Sequence, residues 1–348
     1  MVAKEGGGRM AIGARLDLTR AQILAFRRRE LDQRRPNGPD SLRLAAWAGL
    51  QDSMPRAALL SIHARMEGTE PSTWDDPSLM QVWGPRFHVF VVSARDRAVF
   101  TLGTLPDEGP ARQRAATVAE ALHAYLDGRR LPVGEAGRGL GMHPYYFRYA
   151  AATGTVAIRW DGARQPVVWT VPAPDVSPEA AREELWARYL HIYGPTGPEA
   201  FSAWAGIGRR AGAAAFAAGM SRLIPVGTPF GDAWILAEDE ESVRHPAGEA
   251  APVRLLPSGD PYLLLQGAAR EFMVPDARQR HALWTPRVWP GGLLLEGEVA
   301  GTWRRAGPTV VASPWRRLGS WQRDAVAAEV AALPLDGLVG RLSIRWEE

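Results

Sequence analysis

The sequence predicts an α+β fold in which tandem winged-helix (helix-turn-helix) units precede a small C-terminal α+β domain. Residues 178–236 carry the prediction: three helical runs are followed by two short apolar segments across a Gly/Pro turn. Residues 17–105 and 106–174 repeat that order of elements. Residues 253–348 change to short strands around one amphipathic helix.

Residues 1–16 come first. Met1–Met10 is Gly-rich and lacks the apolar centre of a secretory signal, so this end is expected to be disordered. Asp17 or Thr19 caps a helix running to about Arg34, with Leu18, Ile23, Leu24 and Phe26 apolar. Pro36–Pro39 reads as a loop, Leu42–Leu50 as a second helix and Ala57–Met66 as a third helix or a strand-helix hybrid. Trp83–Val92 reads as strand and Arg95–Leu102 as a short helix. In the second unit, Ala111–Asp127 and Tyr145–Ala152 are helical, and the Gly-rich stretch Gly134–Gly141 between them is a loop. Val156–Trp160 and Val167–Val171 pair across Asp161-Gly162, a strong hairpin signal.

The third unit gives the clearest local chemistry. Ser177 is an N-cap, Pro178 fits the first helical position, and Glu179 faces the positive end of the helix dipole. Leu185, Trp186, Tyr189 and Tyr193 fall on one face. Gly194 is placed to leave the helix with positive φ, and Pro195 blocks continuation. Phe201, Trp204 and Ala205 form the core face of a second helix, Gly208 breaks it, and Arg209–Met220 is a third. Leu223–Val226 and Ala233–Leu236 make the wing. The same elements also describe a three-helix cap on a hairpin without nucleic acid. Glu238–Glu241 and the Pro/Gly stretch to Pro252 form a boundary. Beyond it, Leu293–Glu296, Val299–Arg304 and Thr309–Ala312 predict a sheet, closed by Leu342–Trp346. Gly319–Leu333 predicts a helix with Trp321, Val326, Val330 and Leu333 on one face.

Composition narrows the chemistry. A chain of 348 residues is long enough for two to three domains. It has no cysteine, which excludes disulfides, thiolate zinc sites and a cysteine nucleophile. That fits a reducing cytoplasm. No apolar run approaches the ~18 residues of a membrane span. The 41 basic and 38 acidic residues nearly cancel, and Lys4 is the only lysine. Arginine suits bidentate phosphate and guanine contacts, although GC-rich coding explains the count. The seven histidines show no ligand spacing, so no metal is expected. No nucleotide fingerprint or serine elbow is present. Trp303-Arg304-Arg305 and Trp315-Arg316-Arg317 set an aromatic beside paired guanidinium groups, the pattern of phosphate contact with stacking, although the period-two pattern at Trp303 favours a core tryptophan with solvated neighbours. Arg209 and Arg210 open the third helix of the third unit, where winged helices meet DNA. Arg27–Arg29 with Arg34-Arg35 form a basic face, equally a solvated surface.

Five short motifs, in order, resemble the AlkZ-like winged-helix DNA glycosylases over about residues 17–346. They are Leu50-Gln51-Asp52-Ser53-Met54-Pro55-Arg56-Ala57, Trp83-Gly-Pro-Arg86-Phe-His88, Tyr189 to Pro195 with Phe201 and Trp204, Asp260-Pro-Tyr-Leu263, and Gly297 to Arg304. The resemblance implies binding of double-stranded DNA and excision of N7-alkylated or bulky purines without cofactor or metal, by a monomer. It implies catalysis at Gln51, with Asp52 or Ser53 assisting, and DNA contacts from Arg56, Trp83, Arg86 and His88, joined by Arg209, Arg210, Arg304 and Arg305. The family pattern is glutamine, spacer, then glutamine or aspartate; here Ser53 takes the third place and Asp52 the spacer. His88 stands where that family has threonine, and Phe90 where it has histidine.

Overall fold

A computed structural model describes residues 16–52, 54–162, 164–246, 248–335 and 342–347. The disorder expected of the N-terminus, and Ser53, lie outside the described residues, except that Leu16 already belongs to a strand. The fold is a mixed α+β arrangement with three sheets.

In chain order the elements begin with β1 (Leu16–Asp17), α1 (Arg20–Asp32), α2 (Ser41–Ala45), β2 (Leu50–Gln51), α3 (Ala57–His63), β3 (Leu79–Trp83), β4 (Val89–Ser93) and α4 (Arg97–Thr101). Next are α5 (Gly109–Leu126), β5 (Leu131–Pro132), α6 (Val133–Leu140), α7 (Phe147–Ala151), β6 (Val156–Arg159) and β7 (Val167–Thr170). Then follow α8 (Pro178–Tyr193), α9 (Pro198–Ala205), α10 (Arg209–Ala218), β8 (Leu223–Thr228), β9 (Gly231–Leu236) and α11 (Glu240–Arg244). The last stretch holds β10 (Val253–Leu256), α12 (Ala268–Met273), α13 (Ala277–Leu283), β11 (Gly291–Leu295), β12 (Glu298–Ala306), β13 (Thr309–Pro314), α14 (Ser320–Ala331) and β14 (Ser343–Trp346).

One pairing rule recurs in the first three segments. A short strand between two helices pairs with the last strand of the following hairpin: β2 with β4, β5 with β7, and a single bridge from Thr196 to Trp234 on β9. The first two hairpins are not separate. They join through Gln81 opposite Ile158 into one six-stranded sheet, β2-β4-β3-β6-β7-β5. The third sheet, β10-β11-β12-β13-β14, ends in a parallel pair and carries α14.

Helix α1 shares a core with the third segment as well as with the segment that follows it. Thr19 caps it through a reciprocal box with Gln22. Ile23, Leu24 and Phe26 are buried in one core with Leu185, Trp186, Leu190, Phe201 and Ile235. Strand β1 pairs in parallel with β8, placing Leu16 opposite Val226. The Arg27–Arg29 face is spent inside the molecule. Arg27 is buried, Arg28 pairs with Asp32, and Arg29 donates to the carbonyls of Phe26 and His191. Arg34 pairs with Glu329 at 2.6 Å, and Arg35 binds Glu30.

Several expected boundaries move for local reasons. The helix expected over Leu42–Leu50 stops at Ala45, because Gly49 turns at φ 67° and Leu50 enters the sheet. The strand expected over Trp83–Val92 is broken by a turn at residues 84–88. Gly134–Gly141 is helical as α6, with Gly141 ending it in the left-handed region. The hairpin expected across Asp161-Gly162 does form, with β6 antiparallel to β7 and Arg159 opposite Val167. Gly194 leaves α8 extended, at φ −60°, rather than left-handed. Helix α9 ends at Gly206, and Gly208 instead precedes α10. On α14, Val326 and Val330 are buried but Trp321 is half exposed.

Candidate active site

Strand β2 is two residues long, and alternation sends its neighbouring side chains to opposite sides. Gln51 sits opposite Phe90 in register, and the Asp52 amide continues the ladder by donating to Val89 O at 2.8 Å. The Gln51 Oε1 accepts from Arg86 Nη2 at 3.0 Å. Asp52 turns the other way. Its Oδ1 accepts the Ala58 amide at 3.1 Å, and its Oδ2 accepts Gln81 Nε2 at 2.8 Å. Gln81 is pinned in turn, because Trp160 N donates to its Oε1. Burial pushes the Asp52 carboxyl up to about 7, against those two hydrogen bonds.

Arg86 owes its position to an unusual turn. Arg86 and Phe87 take φ 55° and 59°, left-handed values that cost non-glycine residues of order 1–3 kcal/mol each. What holds the turn is packing from α9. Gly206, itself at φ 72°, lies so close that a Cβ there would sit 2.9 Å from Arg86 N and 3.0 Å from its Cα. Neither atom can yield. Gly206→Ala is therefore expected to cost about 2–4 kcal/mol in urea denaturation, combining left-handed strain with backbone overlap. An unchanged midpoint would refute that packing role.

Two clefts meet at His88. The first, of 490 Å³, is lined by Gln51, Arg86, Gln266, Arg270, Arg287 and Trp289 among others. Its described lining residues include three guanidinium groups and no carboxylate. Arg270 Cζ lies 5.0 Å from the Trp284 ring and 4.9 Å from that of Trp289, and its Nε donates to Leu265 O. Burial and then the neighbouring Arg86 charge lower the Arg270 pKa. The second cleft, of 480 Å³, is mainly aromatic. Trp83, Phe87, Tyr145 and Trp160 line it with Arg148, and Asp52 borders it. Desolvation, then the charges of Arg86 and Arg148, hold the His88 pKa below the usual imidazole range, so the ring at their junction stays neutral at pH 7.

The remaining expected residues scatter. Arg56 starts α3 at φ 68° and lies over Trp74 at 4.7 Å, as Arg159 does, in a different cleft. Trp83 is buried. Arg209 and Arg210 are exposed at the start of α10 and do not line the Gln51 cleft. Arg304 donates to Val288 O at 3.2 Å beside that cleft, and Arg305 to Gly307 O at 3.3 Å. Trp303 is core, with its Nε1 on Leu256 O. Sequence reasoning missed Arg270, Arg287, Gln266 and Trp289, all in a stretch without long periodicity. Its one signal was arginine spaced among Trp284 and Trp289. Among the described residues no cluster could hold a metal ion, and no helix is long and apolar enough to cross a membrane.

Cationic side chains converging beside an amide, with no carboxylate among them, define a site for a polyanion. The chain belongs to the AlkZ-like DNA glycosylase family, whose model matches residues 44–334. The fold is shared with Streptomyces sahachiroi DNA glycosylase AlkZ at a TM-score of 0.77 and 20% identity, over 95% of this chain and 100% of that one. No curated protein sequence matches.

Proposed function

We propose that this chain is a monofunctional DNA N-glycosylase acting on alkylated or bulky purine adducts in duplex DNA. In this reading residues 17–105, 106–174 and 175–240 are three winged units and residues 253–348 a terminal domain, with α1 serving the third unit. The observation that carries it is Gln51, held by Arg86, at the head of a cleft whose described lining has three arginines and no carboxylate. The arginines take backbone phosphates, as in the charge-driven part of DNA affinity. The aromatic cleft beyond His88 takes the extruded base by stacking.

The chemistry asks little of the protein. A purine alkylated at N7 is already cationic. When its bond to C1′ breaks, it takes the electron pair and leaves neutral, without needing an acid. The sugar becomes oxocarbenium-like, and water adds to C1′ while its proton passes to solvent. An amide carbonyl orients that water without acting as a base. Single-turnover release of N7-methylguanine from a short duplex tests this. Gln51→Ala is expected to slow release roughly 10²–10³-fold, and equal rates would remove Gln51 from the mechanism.

A second reading has an observation of its own. Asp52 is committed to Ala58 and Gln81 on the far side of the strand, so the spacer carboxylate does not reinforce Gln51. A duplex-binding protein without base release would fit that. Wild-type protein that binds duplex in a salt-dependent way, yet releases base at the spontaneous rate, would establish it.

A further inference from the structure

Among the described residues three arginines are at least nine-tenths buried: Arg27, Arg65 and Arg188. Two have carboxylate partners. Arg65 binds Asp260 in bidentate fashion at 2.7 and 2.9 Å, and Arg188 meets Asp96 and Glu184. Arg27 forms no ion pair among the described residues. Its Nε and Nη2 donate to the carbonyls of Gly194 and Pro195 at 3.2 and 3.1 Å, and its buried Nη1 has no partner. A buried cation without an anion is costly, and burial draws its pKa down to about 10.

The guanidinium borders a cleft of 580 Å³ between the β8–β9 hairpin and the start of α12, within the size range of small-molecule sites. Phe230, Trp234 and Trp204 supply aromatic walls, and Arg27 Cζ lies 6.0 Å from the Phe230 ring. Exposed Glu199 and Asp232 both line the cleft, and either is an acceptor for a base's amino group. Leu264 and Gln266 line both this cleft and the Gln51 cleft, so the two are contiguous.

We propose that this cleft binds a nucleotide, with its phosphate on Arg27 and its base against Phe230 and Trp234. The Arg27 cleft would bind this ligand whether or not the chain cleaves glycosidic bonds. The nucleotide has two sources, a free mononucleotide or a residue of a DNA strand continuing past Arg86.

The test titrates deoxyguanosine 5′-monophosphate into the full chain while tryptophan fluorescence is followed, and measures duplex affinity in parallel. Wild type is expected to show saturable quenching. Phe230→Ala, at the hairpin tip, is expected to weaken the affected ligand roughly five- to tenfold, the loss of one stacking contact. Arg27→Met should abolish the binding where it folds, and Phe230→Ala decides the matter where it does not. Mononucleotide that displaces duplex places the cleft on the DNA path, as does reduced duplex affinity of Phe230→Ala without mononucleotide binding. Mononucleotide bound alongside duplex identifies a free ligand. No quenching, with duplex affinity unchanged in Phe230→Ala, overturns the proposal and leaves Arg27 as an internal clamp on the Gly194-Pro195 turn.

Discussion

Asp260→Ala is expected to lose about 3–5 kcal/mol of stability, because it strands a buried guanidinium. Arg65 and Asp260 are almost fully enclosed, at 5% and 0% exposure. Asp260 also accepts the Tyr262 amide, so its removal opens a turn as well as an ion pair. The pair joins the end of α3 to the segment carrying Ser258 and Leu264, both of which line the Gln51 cleft. Loss of duplex affinity should therefore accompany the loss of stability. The double variant Arg65→Met/Asp260→Leu should recover much of the stability, since paired hydrophobic replacements of buried ion pairs are often neutral. Urea denaturation of the three proteins checks this. A single variant within about 1 kcal/mol of wild type would show that water already reaches the pair.

The second large effect is a cancellation. Asp52 is raised from 3.8 to about 7 by burial, so its stabilising contribution is full below pH 3.8 and is lost as pH rises toward 7. Three pH units at about 1.4 kcal/mol each make that ~4 kcal/mol. His63 is lowered from 6.5 to about 3 by burial, then by Arg34 and Arg254. Its contribution is full above pH 6.5 and is lost as pH falls toward 3, by ~5 kcal/mol. Between about pH 4 and 6.5 the two slopes oppose, and the wild type is expected to be nearly flat. His63→Gln removes one slope, so this variant should gain stability as pH falls from 7 to 4. Denaturant midpoints across that range measure it. A variant as flat as the wild type would mean that Asp52 does not titrate there.

Local signals were legible where one residue does one job. Thr19, Ser177 and Pro178 cap their helices as their side chains dictate, and Leu185, Trp186, Tyr189 and Tyr193 are buried as their spacing requires. What failed was tertiary. Period and capping place Ile23, Leu24 and Phe26 inward but cannot say against what, and their core takes in the third segment as well as their own. Gly134–Gly141 looked like a loop from composition, yet packing against Tyr125 and Pro144 keeps it helical. At the site, alternation along β2 was enough to separate Gln51 from Asp52. Arg270 and Arg287 were hidden because nothing in their own segment marks them. Only the fold brings them to Gln51.

The parallel pairing of β1 with β8 also sets a timetable. Residues 16–17 leave the ribosome long before their partners at 226–227. At ~5–20 residues per second that interval is roughly 10–40 s. Until α8 and α9 are made, Ile23, Leu24 and Phe26 lack the helices that share their core in the finished molecule. The nascent chain therefore carries an incompletely covered apolar helix for about half of its own synthesis, so the final docking of this helix waits on a segment far along the chain.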